Sequence, residues 1–182
     1  MTRPSRGCES ASRRALVRKA TMSSESQERA IEPRLAVAAG LVKQEAFEQA
    51  VPLLEELVRD APESELTLGL LAAACAQTGR HDRAIEGFRE VLGINPDNAL
   101  ARFQLGLTQL LLGELEEALA TWAPMLELEG EFMARFHSAL ALEELGSAGA
   151  ARPLLERAAE HMPEWHPLHP ELKRRLAEGA RT

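Results

Sequence analysis

Residues 65–98 read ELTLGLLAAACAQTGRHDRAIEGFREVLGINPDN. Apolar residues run through this stretch at three-to-four-residue spacing, first over 65–77 and again over 81–93, with Gly79 between the two runs. Residues so spaced share one face of a helix. Glycine at the junction supplies the positive φ that closes a first helix. Asn95-Pro96-Asp97 stops the second, because proline has no amide to donate and restrains the residue before it. The stretch predicts two amphipathic helices joined by a tight turn.

The pattern recurs before and after it. Turn glycines stand at Gly79, Gly113 and Gly146, spaced 34 and 33. Small residues Ala50, Ala84, Ala118 and Ala151 keep intervals of 34, 34 and 33, as do the large residues Leu54, Phe88, Trp122 and Leu155. Pro62 and Pro96 are also 34 apart, and Pro163 follows 67 later. One deletion near residues 129–131 explains every shortened interval. Several columns in one register mean an internal repeat, and repeats of this length stack into a solenoid.

Each column has a physical role. Alanine in the second helix marks its closest crossing with the first, where a larger side chain would overpack. The large residue one turn later fills the space between repeats. Helices are expected at 34–42 and 46–59, 65–77 and 81–93, 99–111 and 115–128, and 132–144 and 148–161. These define four units at 31–64, 65–98, 99–131 and 132–165. After them, residues 166–182 read as a connector and a capping helix over 171–180, with Leu172 and Leu176 inward and Lys173, Arg174 and Arg175 facing water. A terminal repeat needs such a polar-backed cover.

Composition agrees with an all-α fold. The 182-residue chain is 45% hydrophobic but only 4% aromatic and has no tyrosine; its apolar content is largely Ala and Leu, both strong helix formers. The net charge of −7 is uneven, +5 over residues 1–21 and −12 over the rest. So acidic a body repels phosphate backbones, which argues against nucleic-acid binding. No apolar run is long enough to span a bilayer. Cys8 and Cys75 lie in dissimilar settings, so a structural disulfide is not expected, and a reducing, cytoplasmic compartment is. Residues 1–30 read as a disordered basic and polar leader, or as an extension upstream of a start at Met22. The Arg- and Ser-rich composition also fits a mitochondrial presequence. Arg13-Arg14 is not followed by the apolar stretch a twin-arginine signal requires.

These residues resemble the tetratricopeptide repeat family, a right-handed superhelix of helix pairs. In the unit 65–98, Leu68, Leu71, Ala72, Gly79, Ala84, Phe88 and Pro96 occupy the signature columns. In the next, Leu105-Gly106, Gly113, Ala118 and Trp122 match, while Gly130 stands near the place of the closing proline. The likeness covers about residues 31–165. Arg34, Arg102 and Arg135 replace the family's usual large apolar residue. They read either as stems packed on the repeat with the guanidinium reaching an acidic neighbour, or as a ladder of donors for a partner's carboxylates.

The resemblance implies a concave groove lined by the first helices. Carried over column by column, it comprises Leu35 and Ala39; Leu66, Gly69 and Ala73; Phe103, Leu107 and Leu110; and Met133, Phe136 and Leu140, with His137 as a polar contact. Phe103 and Phe136 are expected side by side, with Gly69 leaving a gap for a ligand side chain. The Lys, Asn and Arg of the family's peptide-carboxylate clamp are absent. The groove therefore suits an amphipathic helix or extended apolar segment, unless the chain itself or a second copy, as in a homodimer, closes it.

Catalytic signatures are missing: there is no phosphate-binding glycine loop and no nucleophile elbow. Glu55-Glu56, Glu116-Glu117 and Glu143-Glu144 read as solvated faces. His161, His166 and His169 cluster among prolines that disfavour a regular ligand spacing, so no metal and no cofactor are expected. Two functions follow. The first is a non-enzymatic adaptor or scaffold that holds a protein or peptide segment. The second is a chaperone for exported or aggregation-prone proteins, since the middle of the chain, Met133–Ala139 included, loosely resembles type III secretion class II chaperones.

Overall fold

The computed structural model describes residues 31–178, and among them there are helices and no strands. We label the helices α1 (31–43), α2 (Phe47–Asp60), α3 (Glu65–Gln77), α4 (His81–Ile94), α5 (Ala99–Leu111), α6 (Leu115–Trp122), α7 (Phe132–Glu144), α8 (Ala148–His161) and α9 (His169–Glu178). Consecutive helices pack on one another, and first helices also touch across repeats, α3 on α5 and α5 on α7. That is the neighbour-only packing of a solenoid. The leader over residues 1–30 lies outside the described residues.

The repeat columns are the core. Ala50, Ala84, Ala118 and Ala151 are all buried, as are Leu54, Phe88, Trp122 and Leu155. A matching small column runs down the first helices through Ala38, Ala72, Gly106 and Ala139, again all buried. At Gly106 a Cβ would sit 2.3 Å from Trp122 Cε2, so only glycine fits beneath that indole. The indole nitrogen donates to the Phe103 carbonyl at 3.2 Å, which satisfies its polar edge inside the core.

Turns and caps obey the same period. Gly79, Gly113 and Gly146 have φ of 75°, 77° and 74°. The corresponding residue of the first pair is Glu45, and it too adopts positive φ, 59°. A non-glycine residue there is strained by its Cβ. Ser64 and Asn98, also 34 apart, cap α3 and α5 by accepting from Thr67 N at 3.3 Å and Ala101 N at 2.7 Å.

The third pair departs from expectation. Its second helix does not reach 128; α6 stops at Trp122, followed by a single 3-10 turn over Ala123–Met125. Pro124 is the cause, because it cannot donate to the carbonyl four residues back and its ring crowds that carbonyl. Arg135 then holds the irregular link. Buried to 2% exposure, it donates from Nε to Leu126 O at 3.0 Å and from Nη2 to Leu128 O at 2.5 Å.

The other two column arginines are also engaged within the chain. Arg34 reaches Asp60 at 2.5 Å and Glu56 at 3.1 Å, while Arg102 donates to Pro96 O at 2.5 Å. Only Arg34 meets an acidic neighbour; Arg102 and Arg135 bind carbonyls of the preceding link.

At the C-terminal end α9 covers the last pair. It starts at His169, earlier than expected, with Leu172 fully buried and Leu176 packed at the edge of the same cluster. Lys173 and Arg174 face solvent, but Arg175 does not: it pairs with Glu143 of α7 and with Glu171, 2.7 Å away.

Two outcomes test this packing. Gly106→Ala should destabilise by roughly 1–3 kcal/mol through overpacking. Combined with Trp122→Leu it should cost about 1 kcal/mol or more less than the two single changes added together, since Ala over Leu is the arrangement at Ala38/Leu54 and Ala139/Leu155. Urea denaturation measures this, and strict additivity would mean that the two residues do not share the crossing. Separately, Glu45→Gly should raise stability by roughly 0.5–1 kcal/mol, the relieved strain outweighing the extra chain entropy of glycine.

Candidate functional site

The first helices of the second and third pairs leave an open cleft of about 360 Å³. Leu66, Gly69, Leu70 and Ala73 of α3 form one wall, and Leu100, Ala101 and Gln104 of α5 the other. Gly69 has room above it, the nearest side-chain atom to an added Cβ being Val91 Cγ2 at 4.0 Å. Leu66 of α3 and Leu100 of α5 are 61% and 70% exposed, a large apolar surface for two leucines to leave in water.

One carboxylate stands at the mouth. Glu65 accepts at Oε1 from Asn95 Nδ2 at 3.0 Å and from Asn98 Nδ2 at 2.5 Å. Those bonds fix its position and leave the second oxygen to accept elsewhere. An apolar slot with a single oriented acceptor suits an apolar side chain followed by a hydrogen-bond donor or cation.

The expected groove residues divide into three groups. Leu66, Gly69 and Ala73 line the cleft. Leu35, Phe103, Leu107, Leu110 and Leu140 are half-buried and pack against the cores of their own pairs, and Ala39 and Met133 are half-buried as well. Phe136 is misplaced by the column argument: it is 1% exposed, in the cluster that also contains Met162 and Leu172 of the C-terminal segment. The last repeat has no following first helix, so the cap covers the position that would otherwise be groove wall.

Phe103 and Phe136 consequently do not form a common wall. His137 lies against both, its ring 5.8 Å from Phe103 and 5.5 Å from Phe136, and 6.0 Å from Trp122. It is part of an aromatic interior, and its Nδ1 is buried without a protein partner. Burial pushes its pKa from 6.5 down to about 4. Of the connector histidines, His169 is buried and His166 stacks edge-on against Phe132 at 5.4 Å.

Leu70, Leu100, Ala101 and Gln104 were missed from sequence. The repeat itself carries the signal for two of them, since Leu66 plus one period is Leu100 and Leu70 plus one period is Gln104. The expected groove follows the columns of Gly69 and Ala73 through every repeat but not those of Leu66 and Leu70, and completing these finds the opposite wall of the cleft.

The neutral ring of His137 gives a pH dependence. Its folded pKa lies below its unfolded one, so its contribution is complete above pH 6.5 and is lost as pH falls towards about 4. The loss should be of order 3 kcal/mol. His137→Phe should flatten the fall of the denaturation midpoint over that window; equal slopes for both proteins would show the histidine is not buried as described.

Known proteins give the fold a family. Two tetratricopeptide repeat models match residues 38–99 and 79–143, together more than half of the chain. Among curated proteins, the peroxisomal targeting signal receptors of Candida glabrata and Saccharomyces cerevisiae are 26% identical over 107 residues and 27% over 90. The matches take in 56% and 48% of this chain but only 18% and 15% of those receptors, so the likeness is to a small part of them. Among solved structures, MamA of AMB-1 superposes with a TM-score of 0.65 at 27% identity, over 72% of this chain and 78% of that one. MamA of MSR-1 gives 0.64 at 27%, over 80% and 78%. With these matches and the helix pairs in register, the chain belongs to the tetratricopeptide repeat family, whose fold is a protein-interaction scaffold.

Proposed function

We propose that this protein is a non-enzymatic adaptor that holds an amphipathic or extended apolar segment of a partner protein in the cleft between α3 and α5. The observation that carries the reading is the pair Leu66 and Leu100, exposed on either side of Gly69 in the most regular part of the solenoid. An apolar side chain entering there would remove both leucines from water, at roughly 25 cal/mol per Å² buried. Glu65, held by two asparagines, would select a basic or donor-bearing neighbour in the ligand. The likeness to a part of two peroxisomal targeting signal receptors supports a peptide ligand. A chaperone for exported or aggregation-prone proteins would use the same surface.

Selection from a displayed library of twelve-residue peptides on the full chain tests the reading. Enriched peptides should carry a leucine or isoleucine beside a basic residue. Leu66→Asp with Leu100→Asp, both at exposed positions, should weaken them about tenfold or more, since burying a charge in the slot is costly. Peptides that bind the folded double variant equally well would overturn the assignment.

A further inference from the structure

A segment whose chemistry matches the cleft lies within this chain. We propose that residues 15–19, Ala-Leu-Val-Arg-Lys, dock in the α3/α5 cleft of their own molecule, Leu16 or Val17 entering beside Gly69 and Arg18 or Lys19 pairing with Glu65. The inference rests on the reading of the cleft as a peptide site.

Chemistry supports the match first. The slot is apolar with one fixed carboxylate at its mouth. Leu16-Val17-Arg18-Lys19 places two apolar side chains directly before two cations. Residues 1–21 carry +5 and the remainder −12, so attraction favours the approach of the two.

Reach supports it second. Arg34 near the start of α1 is tied to Asp60 at the end of α2, and only residues 61–64 separate α2 from the start of α3. The start of α1 therefore lies at the same edge of the solenoid as Glu65 and Leu66. Residues 20–30 form an eleven-residue tether that can span at most about 36 Å. Neighbouring helices pack roughly 8–10 Å apart, so the cleft lies about two helix spacings or less from the tether's end. A tether of this length holds its cargo at an effective concentration of order millimolar, and even a weak contact is then populated. An external ligand must displace it, which sets a threshold on binding.

The test uses the full chain with p-benzoylphenylalanine at position 16. Irradiation of a dilute sample should give adducts within one molecule to residues 66–73 or 98–104, and Gly69→Leu, which fills the slot and favours helix, should abolish them. Adducts elsewhere, adducts only between molecules, or adducts indifferent to Gly69→Leu would overturn the proposal. A labelled peptide of residues 13–22 provides a second reading. It should bind Leu16→Asp/Val17→Asp at least tenfold more tightly than the unaltered chain, where the tethered copy competes. Equal binding to both would overturn self-occupancy while leaving the cleft a peptide site. Absence of binding to the variant, with library peptides still bound, would do the same.

Discussion

The closeness with which the two helices of each pair cross is the constraint on which the rest depends. Small residues face each other's helix at that crossing, and the large residue one turn on fills what they leave open. The pairs Ala38/Leu54, Ala72/Phe88, Gly106/Trp122 and Ala139/Leu155 are variants of one solution. The largest side chain of the series stands over the smallest, and Gly106 has no room for a Cβ because Trp122 occupies it. Helix spacing is thereby kept similar while the residues change, and the first helices can stack on one another through the array.

Where that regularity fails, polar groups fill in. Pro124 ends α6 early, and the link to α7 loses its helical hydrogen bonds. Arg135 restores two acceptors' partners at Leu126 and Leu128, but its Nη1 is left without a partner, as are His137 Nδ1 and Ser138 Oγ on the same helix. Buried polar groups without partners are costly. The joint between the third and fourth pairs, with three such atoms against the one at His81 Nδ1 on α4, is thus the less favourable part of the core, and the more regular joint between the second and third is the firmer platform. The open cleft is on the firmer one. A binding surface gains from rigid walls, because less ordering entropy is then lost when a ligand enters.

Most of the fold was legible because its determinants are local and repeated. A glycine that ends a helix, an alanine at a crossing and a large residue beside it each act within a few residues, and the period repeats them. Glu45 shows what residue identity alone conceals: the backbone of the first turn adopts the glycine conformation although the side chain says otherwise. The early end of α6 was legible in principle from Pro124, but Pro52 and Pro153 lie within α2 and α8, which run on past them.

The site was less legible, for a reason that follows from the same geometry. Inward columns are constrained by a neighbour at every repeat, so a column assignment transfers from one to the next. Outward columns are constrained only by what covers them, and that differs along the array. At the fourth pair the C-terminal segment covers Phe136, and α9 closes that end with Leu172. At the second and third pairs nothing among the described residues lies over Leu66 and Leu100, so the same face remains open. Which outward face of this solenoid stays exposed is decided by which repeat has neither an end nor a cap beside it. The proposed binding surface accordingly falls on the stretch 65–98 and its successor, where the repeat is most regular and Gly69 leaves the walls apart.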